Sequence, residues 1–212
     1  MEGKFITFEG GEGAGKSLQL ARFADYLKAQ GKEVIVTREP GGTEVGKEIR
    51  KLLVEGSRDK FDVVAELLLF YADRRIHLEK VIRPALAEGK YVISDRFNDS
   101  TIAYQYYGSK KFSNTLIMDE LYKIVAGDFK PDLTILLDVD VKVGLDRSFK
   151  KAETMVNKEL RFENEEIEFH QRLKEGYLEI ARKEKERFIV VDANNNVDEV
   201  FDELIGKVKD RI

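Results

Sequence analysis

The stretch ITFEGGEGAGKSLQL, residues 6–20, decides the fold, because it joins a hydrophobic run to a helical pattern through a glycine-rich turn. Within it GGEGAGKS, residues 10–17, matches the pattern G-x-x-x-x-G-K-[ST]. The glycines of such a loop let backbone N–H groups surround a phosphate chain, and the following helix N-terminus adds positive potential. The alternative is a flexible turn that carries Lys-Ser by chance. In sequences of this composition such a match arises on the order of once in a hundred chains. The stretch therefore predicts a nucleoside triphosphate site.

This phosphate-binding loop, hereafter the P-loop, also predicts which atoms hold the nucleotide. Lys16 is expected to reach the β- and γ-phosphates, and the hydroxyl of Ser17 to ligate Mg²⁺. The residues expected to contact ATP here are Gly10, Gly11, Glu12, Gly13, Ala14, Gly15, Lys16 and Ser17.

Composition limits the class of protein. The 212 residues include no cysteine, which excludes disulfides and thiolate metal sites and fits a reducing cytoplasm. The net charge of −4 argues against broad binding to nucleic acid. No apolar run is as long as a membrane span, and the chain passes from MEGK directly into a strand, so no targeting peptide is expected. We expect one cytoplasmic domain over residues 1–212, without a membrane partner.

Outward from the P-loop, strand and helix patterns alternate along the chain. This alternation predicts an α/β protein with a three-layer P-loop NTPase fold, in which helices cover both faces of a parallel five-stranded sheet. The predicted strands are residues 4–9, 33–38, 91–96, 133–140 and 187–193. The predicted helices include Lys16–Gln30, Thr43–Val54, Asp62–Glu88 and Val197–Arg211.

Polar residues follow each predicted strand directly. In parallel sheets ligands bind beyond the carboxyl ends of the strands, so we expect these clusters to converge on one face. They are Glu12–Ser17, Arg38–Thr43, Asp95–Gln105, Asp138–Asp140 and Asp192–Asn194.

A P-loop alone does not select the reaction, because GTPase switches and phosphotransferases share it. A GTPase is expected to carry N-K-x-D after a later strand. The nearest sequence is NKEL, residues 157–160, in which Leu160 replaces the aspartate and no strand precedes. This favours a phosphotransferase, with a non-transferring nucleotide switch or binding protein as an alternative of another class.

A phosphotransferase needs a second pocket, for which FYADRR, residues 70–75, is the candidate. Phe70 and Arg74 lie four residues apart, on one helix face, where a ring and a guanidinium could stack on a base and bond its edge. The alternative is that Phe70 continues the core of Val63 and Leu67 and that Arg74 is solvated, and the pattern alone favours this alternative.

The segment RSFKKAETMVNKELR, residues 147–161, predicts a lid. Its cations, which could stabilise the charge of a transferring phosphoryl group, are Arg147, Lys150, Lys151, Lys158 and Arg161. An ordinary solvated charge run is the alternative. The two histidines, His77 and His170, lie in helical patterns far from the predicted strand ends, and we expect both to be surface or packing residues.

Six segments in order resemble the bacterial thymidylate kinases. They are FEGGEGAGKS (8–17), TREPGGT (37–43), FYADRR (70–75), ISDRFNDSTIAYQ (93–105), DFKPDLTILLDVD (128–140) and LRFE (160–163). The resemblance extends from Ile6 to about Asp192. It implies transfer of the γ-phosphate of ATP to dTMP with Mg²⁺, by a homodimer packed through long helices. A P-loop kinase of another monophosphate or of a deoxynucleoside is the alternative.

The resemblance also implies residue roles. Phe70 is expected to stack on thymine, Arg74 to contact its edge, and Glu39-Pro40 to form a cis peptide near Arg38. Arg96 is expected to bind the dTMP phosphate, and Asp95 to position Mg²⁺ or its waters. The residues expected around the base and deoxyribose are Ser100, Thr101, Tyr104 and Gln105, with Tyr104 crowding the 2′ position. Asp192 and Ala193 are expected beside the adenine, with Arg147 among the ATP contacts.

One branch of the family has an acidic P-loop and takes its catalytic cation from the lid, and this chain resembles that branch. Glu12 occupies the P-loop position and Arg161 the lid position, so the expected catalytic set is Glu12, Lys16, Arg96 and Arg161. The chain departs from the pattern at YYGSKK, residues 106–111, where Ser109 replaces an arginine and Lys110 or Lys111 is the substitute. A phosphate acceptor needs no general base, because its second pKa is about 6 and its oxygen is ionised at neutral pH.

Overall fold

A computed structural model describes residues 3–56, 60–110, 112, 114–153, 161–163 and 165–212. Its centre is a five-stranded sheet in the order β2-β3-β1-β4-β5, and every neighbouring pair is parallel. The strands are β1 (Phe5–Glu9), β2 (Val34–Arg38), β3 (Tyr91–Asp95), β4 (Leu133–Asp138) and β5 (Phe188–Asp192). The predicted sheet is confirmed, and each strand lies within the predicted range.

Helices connect the strands. In chain order they are α1 (Lys16–Ala29), α2 (Glu44–Val54), α3 (Val63–His77), α4 (Arg83–Ala87), α5 (Asn98–Thr101), α6 (Leu116–Ala126), α7 (Val141–Glu153), α8 (Ile167–Lys183) and α9 (Val197–Val208). Side-chain caps fix several starts: Thr43 accepts from the N–H of Gly46 before α2, and Asp62 accepts from two N–H groups at the start of α3. None of the helices in these described ranges is long and apolar enough to cross a membrane.

Alternation along the strands divides the core between two faces of the sheet. Ile6 and Phe8 of β1 pack with α1 and α9 on one face. Phe5, which points the other way, packs with α3, α4 and α6, and Leu136 of β4 packs with α8 on that same face. The sheet is therefore covered on both sides, as predicted.

Three stretches differ from the predicted helices. The long helix predicted over 62–88 contains a π-helical turn, Leu78–Ile82, just before Pro84, whose ring and missing N–H disrupt the regular bonding pattern. Residues 98–108 were not assigned, and they form α5 followed by a π-helical segment, Ile102–Gly108. The first half of the predicted lid, residues 147–153, is the end of α7.

Candidate active site

A cavity of about 910 Å³ opens at the carboxyl ends of the strands. Its volume lies at the upper end of the range for small-molecule sites, roughly 300–1,000 Å³. Most of the predicted site residues line it: Glu12, Gly13, Ala14, Gly15, Lys16, Ser17, Arg38, Pro40, Phe70, Arg74, Asp95, Arg96, Ser100, Thr101, Tyr104, Gln105, Arg147, Arg161 and Ala193. Gly10 and Gly11 line a much smaller adjoining cavity behind the P-loop.

Of the five strand-end clusters, Asp138–Asp140 lies outside the main cavity and Asp192–Asn194 contributes only Ala193 to its lining. Asp138 forms an ion pair with Lys174 at 2.9 Å, and Asp140 accepts a hydrogen bond from the N–H of Lys142 at the start of α7. The Asp192 carboxylate accepts from the backbone and side chain of Asn194, which fixes the turn after β5. Asp192 thus shapes the backbone beside Ala193 and is not among the described residues that line the cavity.

The P-loop lies between β1 and α1, and its lysine folds back over it. Nζ of Lys16 donates to the carbonyl oxygens of Gly10 at 2.9 Å and Gly11 at 2.7 Å. Burial, and then the charge of Arg96, lower the pKa of Lys16 to about 8, although Glu12 acts in the opposite direction. The carbonyl partners of Lys16 carry no formal charge, and phosphate oxygens bound in the loop would place a negative charge beside this cation.

The P-loop rests directly on the start of α7. A Cβ on Gly144 would collide with the carbonyl oxygen of Glu12, and one on Gly13 would collide with the backbone of Gly144. The two backbones can approach this closely only because both residues lack a side chain.

Arg96 is the half-buried centre of the site. Its backbone has a φ of 72°, an uncommon conformation for a residue with a side chain, which directs it away from the end of β3. Nη2 donates to Tyr104 at 2.9 Å and to Glu12 at 3.2 Å, and Tyr104 in turn donates to Glu12. Nη1 donates to the Gly10 carbonyl and to the hydroxyls of Ser100 and Tyr177.

The charges around Arg96 favour an ionised P-loop carboxylate. Burial acts to raise the pKa of Glu12, but the positive charges of Arg96 and Lys16 outweigh it and lower that pKa. Burial likewise disfavours the charged guanidinium, yet Tyr104 and Glu12 raise the pKa of Arg96. Glu12 therefore lies in the cavity as an anion paired with a fixed cation.

A second carboxylate, which the sequence analysis did not identify, bonds to the Ser100 and Tyr177 hydroxyls that accept from Arg96. Glu9 is fully buried and accepts from the N–H of Phe97 at 2.8 Å, from Ser100 at 2.5 Å and from Tyr177 at 3.3 Å. Burial, and then the negative charge of Asp99, raise its pKa to about 7. Only the position of Glu9 as the last residue of β1 could have indicated this role.

Ser17 and Asp95 form an oxygen pair beside the P-loop. The Ser17 hydroxyl donates to Oδ2 of Asp95 at 3.2 Å. Oδ1 of Asp95 is buried and has no hydrogen-bond partner among the described residues. These residues contain no group of three or more His, Cys, Asp or Glu that could hold a metal ion. Two protein oxygens suit a hard divalent cation that takes its other ligands from phosphate and water.

The opposite wall of the cavity is formed by Phe70 and Arg74 of α3. Arg74 is 1% exposed, so the alternative of a solvated arginine is wrong. Its Nε donates to Glu39 at 2.8 Å, Nη1 to Asn98 at 3.0 Å and Nη2 to Thr101 at 2.9 Å. Phe70 is partly buried and exposes part of its ring to the cavity. The Glu39-Pro40 peptide is cis, as the resemblance implied.

The expectation that both histidines lie far from the strand ends is wrong. His77 is fully buried and bonds to Glu39 and to Thr37 of β2. His170 lines the small cavity with Gly11 and Glu12 of the P-loop, and burial lowers its pKa. Long-range packing of α3 and α8 brings both rings to the site, and helical periodicity could not show this.

The described ends of the predicted lid contact both halves of the cavity. Arg147 donates to the carbonyl oxygens of Ala193 at 2.8 Å and Asn194 at 3.2 Å. Arg161 forms an ion pair with Glu66 and donates to the Leu53 carbonyl, while Gln105 donates to Glu66 at 3.0 Å. Among the predicted lid cations, Lys158 lies outside the described residues, as does the NKEL sequence.

Several lining residues were not predicted. Asn195, Asn196 and Val197, at the start of α9, border the cavity near Ala193. The capping box between Asn196 and Glu199 gives a local signal for this helix start, but not for its place beside a ligand. Glu66 and Tyr177 also have no local motif that predicts a site.

The strand order, the P-loop after the central strand and a second polar wall across one cavity define a P-loop nucleotide kinase fold. Comparison with known proteins narrows this class. The family model described as thymidylate kinase matches residues 8–204. The chain therefore belongs to the thymidylate kinase family.

Individual relatives match over their whole length. The chain is 47% identical over 211 residues to a thymidylate kinase of Caulobacter vibrioides, covering 100% of this chain and 98% of the relative. It is 45% identical to one of Magnetococcus marinus with the same coverage. The crystal structure of thymidylate kinase from Ehrlichia chaffeensis superposes with a TM-score of 0.78 at 35% identity, covering 99% of both chains.

Proposed function

We propose that the protein transfers the γ-phosphoryl group of ATP to dTMP, giving dTDP and ADP, within the cavity described above. The observation that carries this proposal is the two-ended cavity, with the P-loop at one end, the Phe70–Arg74 wall at the other and Arg96 between them. Family membership and near full-length relatives named thymidylate kinase support the same reaction.

ATP binds at the P-loop end. Backbone N–H groups of residues 10–17 surround the phosphates, and Lys16 exchanges its two carbonyl partners for phosphate oxygens. The adenine lies between Arg147, Ala193 and the start of α9, where Asn195 and Val197 also face the cavity. Asp192 acts indirectly, by holding the turn that carries Ala193.

Mg²⁺ is held by Ser17 and by Asp95, directly or through water, and the unpartnered Oδ1 of Asp95 supports this assignment. When bound there, the ion neutralises part of the charge on the phosphate chain.

The dTMP phosphate lies against Arg96. With a second pKa of about 6, this phosphate attacks in its ionised form, so the residues need only align two polyanions and stabilise charge. Glu12 fixes the Arg96 guanidinium and the Tyr104 hydroxyl in one orientation. Ser100 supports Arg96 in the same way, from the side of Glu9.

The thymine base stacks on Phe70 and meets Arg74 at its edge. Hydrogen bonds to Glu39, Asn98 and Thr101 engage three of the five N–H groups of Arg74, so the guanidinium retains donors for a ring carbonyl in the cavity that it lines. Thr101 holds Arg74, and Gln105 holds Glu66, so both act on the base site through other residues. Tyr104 crowds the sugar where a 2′-hydroxyl would lie.

Arg161 stabilises the transferring phosphoryl group, as expected for a chain with an acidic P-loop. Glu66 binds this arginine, so catalysis requires Arg161 to exchange a carboxylate for phosphate oxygens.

The protein acts as a cytoplasmic homodimer that binds no nucleic acid and no membrane. Exposed apolar side chains on three helices support the dimer, since α2 packs on α3 and α3 on α6. They are Val45, Leu52, Val64, Leu68, Leu116, Ile117 and Ile124.

The test is ADP release from Mg·ATP with dTMP, dUMP, dCMP, dGMP, AMP, thymidine or no acceptor. Turnover with dTMP well above the other acceptors supports the proposal. Turnover with thymidine but not dTMP would retain the base site and give Asp95 the role of a general base. Hydrolysis independent of any acceptor would contradict kinase activity.

Substitution then locates the acceptor site. Phe70→Ala and Arg74→Ala should each raise the KM for dTMP sharply and leave the KM for ATP nearly unchanged. If both variants weaken ATP instead, the two ends of the cavity are assigned the wrong way round.

A further inference from the structure

Four buried ionisable side chains lie at and behind the Phe70–Arg74 wall. Of these, only Arg74 is proposed to contact a substrate. Glu39, Asp73, Arg74 and His77 are 4%, 1%, 1% and 0% exposed. Buried charges are costly unless each is paired and hydrogen-bonded, so their mutual contacts show what the group accomplishes.

The contacts form one chain from β2 to the cavity. The His77 ring bonds through Nε2 to the Thr37 hydroxyl at 2.6 Å and through Nδ1 to Oε1 of Glu39 at 2.8 Å. Oε2 of the same carboxylate accepts from Nε of Arg74 at 2.8 Å. Carboxylate oxygens accept hydrogen bonds, so we assign Nδ1 of His77 as the donor in its contact with Glu39.

His77 thereby determines the orientation of Glu39. A carboxylate bonded only to Arg74 could rotate about its side-chain torsions, whereas a donor on each oxygen fixes its plane. Glu39, Asn98 and Thr101 then hold the guanidinium from three directions. Of these three partners only Glu39 carries a charge, so its bond to Arg74 is of the stronger, charge-assisted type.

The loop that carries Glu39 has little freedom to adjust without the ring. A Cβ on Gly42 would collide with the imidazole of His77, so the loop backbone lies directly on that side chain. Asp73, one turn earlier on α3, accepts from the N–H of Gly41 at 3.2 and 3.3 Å. The loop thus contacts α3 on both sides of Glu39, through Thr37 before it and through Gly41 and Gly42 after it.

We propose that His77 is a positioning residue of the base site, which acts through Glu39 to orient the Arg74 guanidinium toward a pyrimidine 4-carbonyl. The proposal rests on the proposed function, since it assumes that Arg74 meets the base edge. It assigns His77 no contact with substrate. Its effect is expected in base discrimination, which a purely structural histidine would not change.

Two conservative variants separate this role from packing. In His77→Asn the side-chain amide can place an N–H near the former Nδ1, toward Glu39. In His77→Gln the amide lies near the former Nε2, toward Thr37, and the donor to Glu39 is lost. Both variants replace the ring by an amide, so each loses comparable packing.

The measurement is the Kd of dTMP and of dCMP by calorimetry, with the KM for ATP. Cytosine carries an amino group in place of the 4-carbonyl and gives Arg74 no acceptor there. His77→Gln should raise the Kd for dTMP roughly tenfold and leave that for dCMP nearly unchanged, as expected for loss of one hydrogen bond to a charged group. His77→Asn should keep the preference for dTMP, and the KM for ATP should change in neither.

The proposal would be overturned if the wild type and both variants preferred dTMP over dCMP to the same extent. It would also be overturned if a variant lost affinity for dTMP and dCMP equally, or if its KM for ATP rose. If His77→Gln does not fold, Glu39→Gln tests the same link and should show the same selective loss. The two hypotheses fail differently: the proposed function fails in the wild-type acceptor panel, whereas this inference fails only in the comparison of variants.

Discussion

At the scale of single residues, two cations of the site hold partners that the proposed function requires them to exchange for phosphate oxygens. Lys16 donates to two carbonyl oxygens of its own loop, and Arg161 pairs with Glu66. Arg96 differs, because five hydrogen bonds hold it in place before any ligand arrives. The fixed cation can align the acceptor, while the exchanging cations can follow the moving phosphoryl group.

Replacing the lid arginine tests this division. Arg161→Ala should lower kcat roughly a hundredfold or more, because a cation that acts on the transition state is lost. Steady-state kinetics with both substrates saturating measures this. The melting temperature should also fall, because Glu66 loses its partner in a largely buried ion pair. Lys183→Ala, which removes an exposed cation of α8 paired with Glu179, is the control and should leave kcat unchanged. An unchanged kcat in Arg161→Ala would assign the role to a lysine.

The buried P-loop lysine predicts a pH dependence of stability. Burial and the charge of Arg96 lower its pKa from 10.5 to about 8. Between these values the unfolded chain keeps a proton that the folded protein has released, so the free energy of unfolding rises with pH. Below about pH 8 both states are protonated, and the cost of burying the charge is constant.

Urea unfolding of the wild type and Lys16→Met, from pH 7 upward and without nucleotide, measures this contribution. The difference in free energy of unfolding, wild type minus variant, should be flat up to about pH 8 and then increase. Parallel profiles over the whole range would contradict a lowered pKa.

Residues within local motifs were predictable, but their partners were not. The P-loop lies in a short pattern with a chemical reason for its spacing. The expected roles of the Asp95-Arg96 pair and of Phe70 came from the resemblance to the thymidylate kinases. Glu9 and Tyr177 are 168 positions apart, and only the packing of α8 against the sheet brings them together. The same holds for Glu66, which meets Arg161 from 95 positions away.

At the scale of elements, the site depends on how closely α7 approaches the P-loop. Gly144→Ala places a methyl group against the carbonyl oxygen of Glu12, so either the helix or the loop must move. We expect the free energy of unfolding to fall by roughly 1–3 kcal/mol, as in other overpacked interiors, and the KM for ATP to rise.

A second helical glycine provides the control. Gly206 of α9 has open space around its Cα, so Gly206→Ala should stabilise the protein by roughly 0.5–1 kcal/mol through helix propensity and leave ATP kinetics unchanged. Denaturant titration and ATP kinetics on both variants make the comparison. Equal behaviour of the two variants would show that α7 can shift without disturbing the loop.

Element boundaries were predictable where the sequence carries caps and alternation. The five strands and the starts of α1, α2, α3 and α9 follow from such signals within about two residues. The segment 98–126 lacks them, because Asn98–Thr101 merges into a π-helical segment that no simple periodicity describes. Part of the proposed base site lies in that segment, so no helix was predicted on which to place those side chains.

At the scale of the whole molecule, the exposed apolar faces of α2, α3 and α6 predict an interface between two copies. Leu68 of α3 is 50% exposed, and Leu68→Glu would place a charge at the centre of that face. The variant should shift the protein from dimer to monomer in sedimentation velocity. Ile167→Glu, which alters a 43% exposed residue of α8, is the matched control and should leave the mass unchanged. A monomeric wild type would contradict the proposed dimer.

The pairing of β1 also has a consequence for synthesis of the protein. This first strand has two neighbours in the sheet. One is β3, from the first half of the chain, and the other is β4, in which Leu133 pairs with Ile6. Domains generally fold as units as the chain leaves the ribosome, and long-range pairing delays them. A nascent chain shorter than about 140 residues therefore lacks one flank of the strand that carries the P-loop. Because Ala193 and Asn195 also line the cavity, the emerging polypeptide gains a complete nucleotide site only after β5 and the start of α9 have been translated as well.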